Sequence, residues 1–216
     1  MPNYRPVLEE HFEDLPKQEH AGRLGLWIFL ASELLFFAAL FTLFAGYRLE
    51  HAAVFDRAVK HNAVVLGSLN TAILLGGSTL AAVGVALFRR DRAGAGAALF
   101  AVTAALGLVF LAVKGTEYAL HFEEGIFPGG AGRFFAEHPE PGYPIFFTLY
   151  FGMTGLHALH VIVGIGLLAW AAIWARRRQV GRHGAHRAEL VALYWHFVDL
   201  IWIFLWPMFY LLGRHT

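Results

Sequence analysis

Five apolar runs, each longer than 20 residues, constrain this chain more than any other feature of its sequence. The runs are residues 24–47, 63–88, 95–120, 145–174 and 190–212. A bilayer's hydrocarbon core is about 30 Å thick, and a helix needs roughly 20 apolar residues to cross it. A soluble protein would have to cover such runs with polar chain, and the short linkers here supply too little. Charge content agrees: 15% of the residues are charged, against about 25% in a soluble domain. In lipid a helix satisfies its own backbone. The expected fold is therefore all-α, a polytopic membrane protein built as a bundle of five transmembrane helices.

The flanks read as tails. Residues 1–23 carry Glu9, Glu10, Glu13, Asp14, Glu19 and Pro16, with no apolar run behind a basic start. A cleaved signal peptide is not expected, and the first span serves as its own insertion signal. Residues 213–216 form a short C-terminal tail. The longest loop, residues 121–144, is punctuated by glycine and proline and too short for an independent domain.

Basic residues set the orientation. Arg89, Arg90 and Arg92 follow the second run, and Arg176, Arg177, Arg178, Arg182 and Arg187 follow the fourth. The loop after the third run has Arg133 against Glu123, Glu124, Glu137 and Glu140. Both termini follow: N-terminus inside, C-terminus outside. Tyr47, Tyr118, Tyr143 and Tyr210 fall at outer ends, and Trp170, Trp174, Tyr194 and Trp195 at inner ends. Arg176, Arg177 and Arg178 are ordinary inner flanks that are also suited to anionic lipid head groups.

Other classes drop out. The chain has no cysteine, which removes disulfides, thiolate-bound iron–sulfur clusters and cysteine-ligated copper. A formal net charge of +1 gives no field for a nucleic-acid partner. Small residues (Gly76, Gly77, Ser78, Ala81 and Ala82, then Gly94 through Ala98) predict close helix approach, which matters where lipid gives helices no hydrophobic reason to associate.

Ionisable groups inside a membrane are costly and mark candidate sites. At about 1.5 Å per residue, Glu33 and Asp199 lie roughly 14 Å from the inner surface. His196 and His160 come out near 9 and 8 Å, with His157 a turn deeper. Three readings compete for Glu33, His157, His160, His196 and Asp199. They fix helix packing by hydrogen bonds, they buffer or relay protons, or they ligate a metal or haem. Packing leads, because the histidine and carboxylate supply is thin for a di-iron or bis-histidine haem site. Lys114 and Glu117, three residues apart, are placed either to pair or to snorkel. Ser68, Asn70 and Thr71 read as interhelical hydrogen-bonding groups.

The same residues form a recognisable set. Ser32, Glu33, Phe36 and Phe37 resemble the Ser-Glu-x-x-Phe-Phe motif of subunit III of the haem-copper terminal oxidases. Leu69-Asn70-Thr71 and Glu117-Tyr118 resemble its next two signatures. Gly155, His157, His160 and Val161 are similar to its Gly-x-His-x-x-His-Val stretch. Tyr194 through Asp199, with Trp202 downstream and Glu189 upstream, resembles its most recognisable segment. The similarity covers about residues 22–212, with five motifs in order on five helices.

The resemblance implies a bacterial inner-membrane, multi-pass subunit that binds the catalytic subunit I directly and assembles with subunit II and small subunits. It implies no metal and no cofactor in this chain, with haem and copper in partner subunits and phospholipid bound here. In the family, such a subunit sustains proton uptake during turnover and holds lipid that eases oxygen entry. The carboxylate matching Glu33 is known there for reacting with hydrophobic carbodiimide, which suits a protonated, lipid-accessible acid. Many members have seven helices, and the N-terminal pair that frames a lipid cleft is missing here. Cytochrome c oxidase is favoured over quinol oxidase, and an accessory subunit of nitric oxide reductase stays open. From other classes, a proton-coupled transporter would show internal repeats, and a membrane haem-b carrier would need matched imidazoles.

Overall fold

The computed structural model describes residues 12–178 and 184–213, with Arg178 described in its backbone alone. Residues 1–11 of the expected N-terminal tail, Arg182, the Arg178 side chain and residues 214–216 lie outside the described residues. The element order is α1 (Leu15–Glu50), α2 (Ala52–Ala58), a 3₁₀ turn (Val59–His61), α3 (Val64–Arg89), α4 (Ala93–Glu124), a second 3₁₀ turn (Pro128–Gly130), α5 (Arg133–Glu137), α6 (Gly142–Arg178) and α7 (Ala185–Tyr210). Among the described residues five helices are long and apolar enough to cross a membrane. They coincide with the five apolar runs, so the chain is an all-α, multi-pass membrane protein.

The helices outrun the apolar segments because polar flanks also propagate a helix. The first begins at Leu15, so residues 15–23 of the expected tail are helical. Asp14 accepts a hydrogen bond from the Lys17 amide at 2.8 Å, a side-chain cap for the exposed first turn. Leu24, Ile28 and Leu35 of α1 remain exposed, as expected of a helix whose surroundings are apolar.

The chain divides into two compact units, residues 1–35, 74–108 and 161–199, and residues 36–73, 109–160 and 200–216. Every long helix contributes a segment to each unit.

The first unit is packed through glycine. The Trp195 indole, 1% exposed, sits on α7 among Gly77 of α3, Gly107 of α4 and Gly164 of α6. A Cβ on Gly164 would lie 2.9 Å from Trp195 Cε3, and one on Gly107 would lie 2.7 Å from Ile165 Cγ1. Elsewhere in this unit α3 and α4 approach through Gly84 and Gly96, where a Cβ on Gly96 would sit 2.9 Å from the Gly84 carbonyl oxygen. Of the small residues singled out above, Gly96 makes such a contact and Gly77 lies against Thr103 and Trp195 at ordinary van der Waals distance, whereas Gly76 and Gly94 face open space.

The second unit is packed through aromatic rings. Phe44, Phe55, Phe146 and Phe209 form an edge-to-face ring with centroid distances of 5.4, 5.3, 5.7 and 5.1 Å. Such pairs contribute about 0.5–1.5 kcal/mol beyond the area they bury. The loop from α4 to α6 turns at Gly132, whose φ of 116° is one that L side chains avoid. A Cβ there would also overlap the Gly125 carbonyl.

Candidate functional site

Buried polar groups in the second unit start from the register of α4. Residues 114, 117 and 121 recur at helical spacing, so Lys114, Glu117 and His121 share its covered face, each at most 3% exposed. Lys114 does not snorkel. Its Nζ donates to Glu117 Oε2 at 3.0 Å, Tyr150 Oη at 2.8 Å and Tyr210 Oη at 2.8 Å. Tyr210 Oη in turn donates to Glu117 Oε2 at 2.7 Å. The ammonium also lies 4.4 Å from the Tyr150 ring centroid and 5.2–5.6 Å from those of Tyr118, Tyr210 and Trp202, adding cation–π attraction. Pairing wins because these partners enclose the ammonium, and a lone buried ammonium would be prohibitive.

Three family-like motifs meet this network. Trp202 Nε1 donates to Thr71 Oγ1 at 3.0 Å, and Thr71 Oγ1 donates to Gly67 O at 2.9 Å. Tyr118 Oη lies 2.6 Å from Thr154 Oγ1. His157, fully buried, lies between Phe110 (5.7 Å) and Trp202 (5.2 Å), and neither ring nitrogen has a hydrogen-bond partner among the described residues. Asn70, also fully buried, has both amide atoms unpaired among the described residues. His160 is half-buried, packs on Phe37 at 5.4 Å and hydrogen-bonds back to Leu156 O at 3.0 Å. On the loop side, His121 bonds Glu117 O at 2.8 Å and Asn62 Oδ1 at 2.9 Å.

The remaining candidates belong to the first unit. Ser78 Oγ lies 2.5 Å from His196 Nδ1, and Asp199, one α-helical turn on, is next to both. Glu33 is half-buried beside Tyr194. Ser32 is exposed and donates to Phe29 O at 2.7 Å, within its own helix. Glu189 accepts from Arg89 Nε at 2.8 Å and Arg23 Nη2 at 3.4 Å, joining three helices. Arg176 and Arg177 are exposed, while Arg187 stacks on Trp174 at 5.1 Å. Thus His196 and Asp199 share one environment, and His157 and His160 have others in the second unit.

Sequence reasoning passed over Ser78 as a polar partner, and Tyr150, Tyr210, His121 and Asn62 as partners in a network. The signal for His121 was its spacing from Lys114 and Glu117 along α4. Tyr210 reads as an interfacial aromatic, Tyr150 falls inside the fourth apolar run, and Asn62 falls in a linker. Among the described residues no group of three or more His, Cys, Asp or Glu is placed to hold a metal ion.

The comparisons with known proteins point one way. A family model for cytochrome c oxidase subunit III matches residues 141–214, which include the motifs beginning at Gly155 and Tyr194. A cytochrome c oxidase subunit 3 of Thermostichus vulcanus is 34% identical over 194 residues, 88% of this chain and 87% of the relative. One from a Synechocystis strain is 32% identical, covering 87% of this chain and 74% of the relative. A probable quinol oxidase subunit 3 of Staphylococcus haemolyticus is 28% identical, covering 89% of each. Five spans, the motifs they carry and this breadth of similarity lead to one assignment: the chain belongs to the cytochrome c oxidase subunit III family, and so is subunit III of a multi-subunit haem-copper oxidase, whether of cytochrome c or of quinol.

Proposed function

We propose that the chain is the non-catalytic subunit III of a proton-pumping cytochrome c oxidase in a bacterial inner membrane, with its N-terminus inside and its C-terminus outside. It binds subunit I directly, with subunit II and small subunits alongside, and haem and copper reside in those partners. Its own role is to hold lipid, ease oxygen access from the bilayer and sustain proton uptake during turnover. Two relatives above 30% identity are named for cytochrome c oxidase, which supports that donor over quinol. Arg176 and Arg177, exposed at the end of α6, supply cationic contacts for lipid head groups.

The observation that carries the non-catalytic reading is how the motif side chains use their polar atoms. Thr71, Glu117, Tyr118, Glu189 and Trp202 each hydrogen-bond another part of the protein. Groups committed in this way fix helices and present no open constellation for a substrate.

The test is purification of the tagged chain in mild detergent, with an optical spectrum and mass analysis of what accompanies it. Haem-bearing partners in fixed stoichiometry, with the haem lost when subunit I is removed, are the expected result. A colourless chain alone, under conditions that keep other respiratory complexes intact, would overturn the reading.

A further inference from the structure

The buried face of α4 carries more basic groups than its single carboxylate can neutralise. His121 Nδ1 lies 2.8 Å from the Glu117 carbonyl oxygen, and Nε2 lies 2.9 Å from Asn62 Oδ1. Both of those oxygens only accept. The Asn62 amide is held in this sense because its Nδ2 donates to Phe209 O at 2.8 Å. Turning the amide over would set Oδ1 against the Phe209 carbonyl instead. A neutral imidazole has one N–H, so in either amide orientation two lone pairs would face each other inside the protein. An imidazolium, with two N–H groups, satisfies every contact.

Lys114 meets the same carboxylate from the other side. Its three contacts, to Glu117, Tyr150 and Tyr210, match the three protons of an ammonium. Glu117 Oε1 is buried with no hydrogen-bond partner among the described residues. Two cations therefore share one anion.

We propose that Lys114, Glu117 and His121 form a proton-holding site, loaded and emptied through the turn at His61 and Asn62. With both bases protonated the site carries one net positive charge, and with one proton released it is neutral. Burial disfavours net charge, so the second proton is the labile one. His121 is the base that releases it, because Lys114 is enclosed by Tyr118, Tyr150, Tyr210 and Trp202. Asn62 connects His121 to the turn, where His61 is exposed. On release an imidazolium N–H bond breaks at this turn, its electron pair stays on the ring nitrogen and a solvent water takes the proton; uptake is the reverse.

The titratable and charged groups facing His121 are Glu117, Lys114 and Glu124 on its own helix and His61 from the turn. From α6 its ring meets Tyr150 at 5.3 Å, with Phe147 and Phe151 at 5.7 and 6.0 Å. From α7, Tyr210 reaches the site through Glu117.

The test is solid-state nitrogen NMR of the assembled, histidine-labelled oxidase in lipid vesicles across a pH series. Spectra of the wild type are compared with those of His121→Gln and Asn62→Asp complexes. The wild-type minus His121→Gln difference should show one imidazolium, both nitrogens protonated, converting to a neutral ring as pH rises. Asn62→Asp places a carboxylate at the Nε2 contact and should move that conversion to higher pH by about one unit or more. If His121→Gln fails to assemble, the Asn62→Asp shift against wild type decides alone. A difference spectrum with one bare ring nitrogen at every pH, or a conversion that Asn62→Asp leaves in place, would overturn the proposal.

Discussion

Trp195 in the first unit and Lys114 in the second are both large side chains, at most 3% exposed and enclosed by residues from other long helices. Their surroundings have little else in common. Trp195 fits a socket of three glycines, and its Nε1 has no hydrogen-bond partner among the described residues. Lys114 has every donor engaged, by a carboxylate and two phenols. The first environment is specified by shape, so it tolerates an unpaired N–H but no added carbon at Gly107 or Gly164. The second is specified by hydrogen bonding, so it tolerates a change of shape better than the loss of a charge. Lipid is as apolar as a protein core, so neither unit gains from simple burial of apolar side chains. The helices must instead be joined by close fit or by polar contacts.

The sharpest break in that comparison is to remove one charge. Glu117→Gln should leave Lys114 as an uncompensated buried cation, costing about 3–5 kcal/mol. The expected readout is loss of most assembled complex in a thermal dissociation series. Lys114→Met combined with Glu117→Gln should recover much of the loss, because the desolvation of both ions disappears with the pair. A double variant as unstable as the single one would show that charge pairing is not what this unit depends on.

The next effect belongs to the glycine socket. Gly164→Ala puts a methyl 2.9 Å from Trp195 Cε3, and overpacking of this kind costs about 1–3 kcal/mol. Gly76→Ala, on the same helix as Gly77 but facing open space, should be close to neutral. The same dissociation series separates the two outcomes. Equal behaviour of Gly164→Ala and Gly76→Ala would mean that helix propensity, and not contact with Trp195, governs this unit.

How far these environments were legible in the sequence follows from the same contrast. The five spans were readable because hydrophobic length is a local property. The motif residues were readable because Thr71, Glu117, Tyr118 and Trp202 stand out as polar or aromatic positions in apolar runs. Lys114 and Glu117 were visible as a pair but not as a buried one, because pairing and snorkelling share the same spacing. Tyr210 sits 93 residues from Glu117, and Asn62 sits 59 residues from His121; no local pattern announces partners at such separation. Among the glycines, the pattern could not tell Gly77 from Gly76, since one residue turns a helix by about 100°.

Smaller effects are expected for carboxylates of the first unit. Glu33→Gln should leave assembly and initial turnover nearly normal, since in the proposed function the chemistry resides in the partner subunits. Failure to assemble would instead make Glu33 a packing strut. Asp199→Asn is the matched comparison, because its neighbours Ser78 and His196 are polar groups of the same unit. Glu189→Ala removes contacts to Arg89 and Arg23, whose side chains are 63% and 54% exposed. Ion pairs at exposed positions contribute about 0–1 kcal/mol and are screened by salt. The variant should differ from wild type in low salt and converge with it in high salt.

The smallest effect tests the loop at the edge of the second unit. His61 lies outside the spans, with its ring 5.0 Å from that of Phe134 and 6.3 Å from that of His138. Packing against neighbouring groups lowers its pKa from the usual 6.5, with Glu124 opposing and His138 and His121 adding to the fall. The unfolded chain therefore binds this proton more readily than the folded one. By linkage the contribution of His61 is fully present above about pH 6.5 and is lost as pH falls through the folded pKa. His61→Gln, which cannot titrate, should flatten the acid side of the stability profile while leaving the Lys114–Glu117 pair intact. An unchanged acid limb in that variant would show that the acid sensitivity does not come from His61.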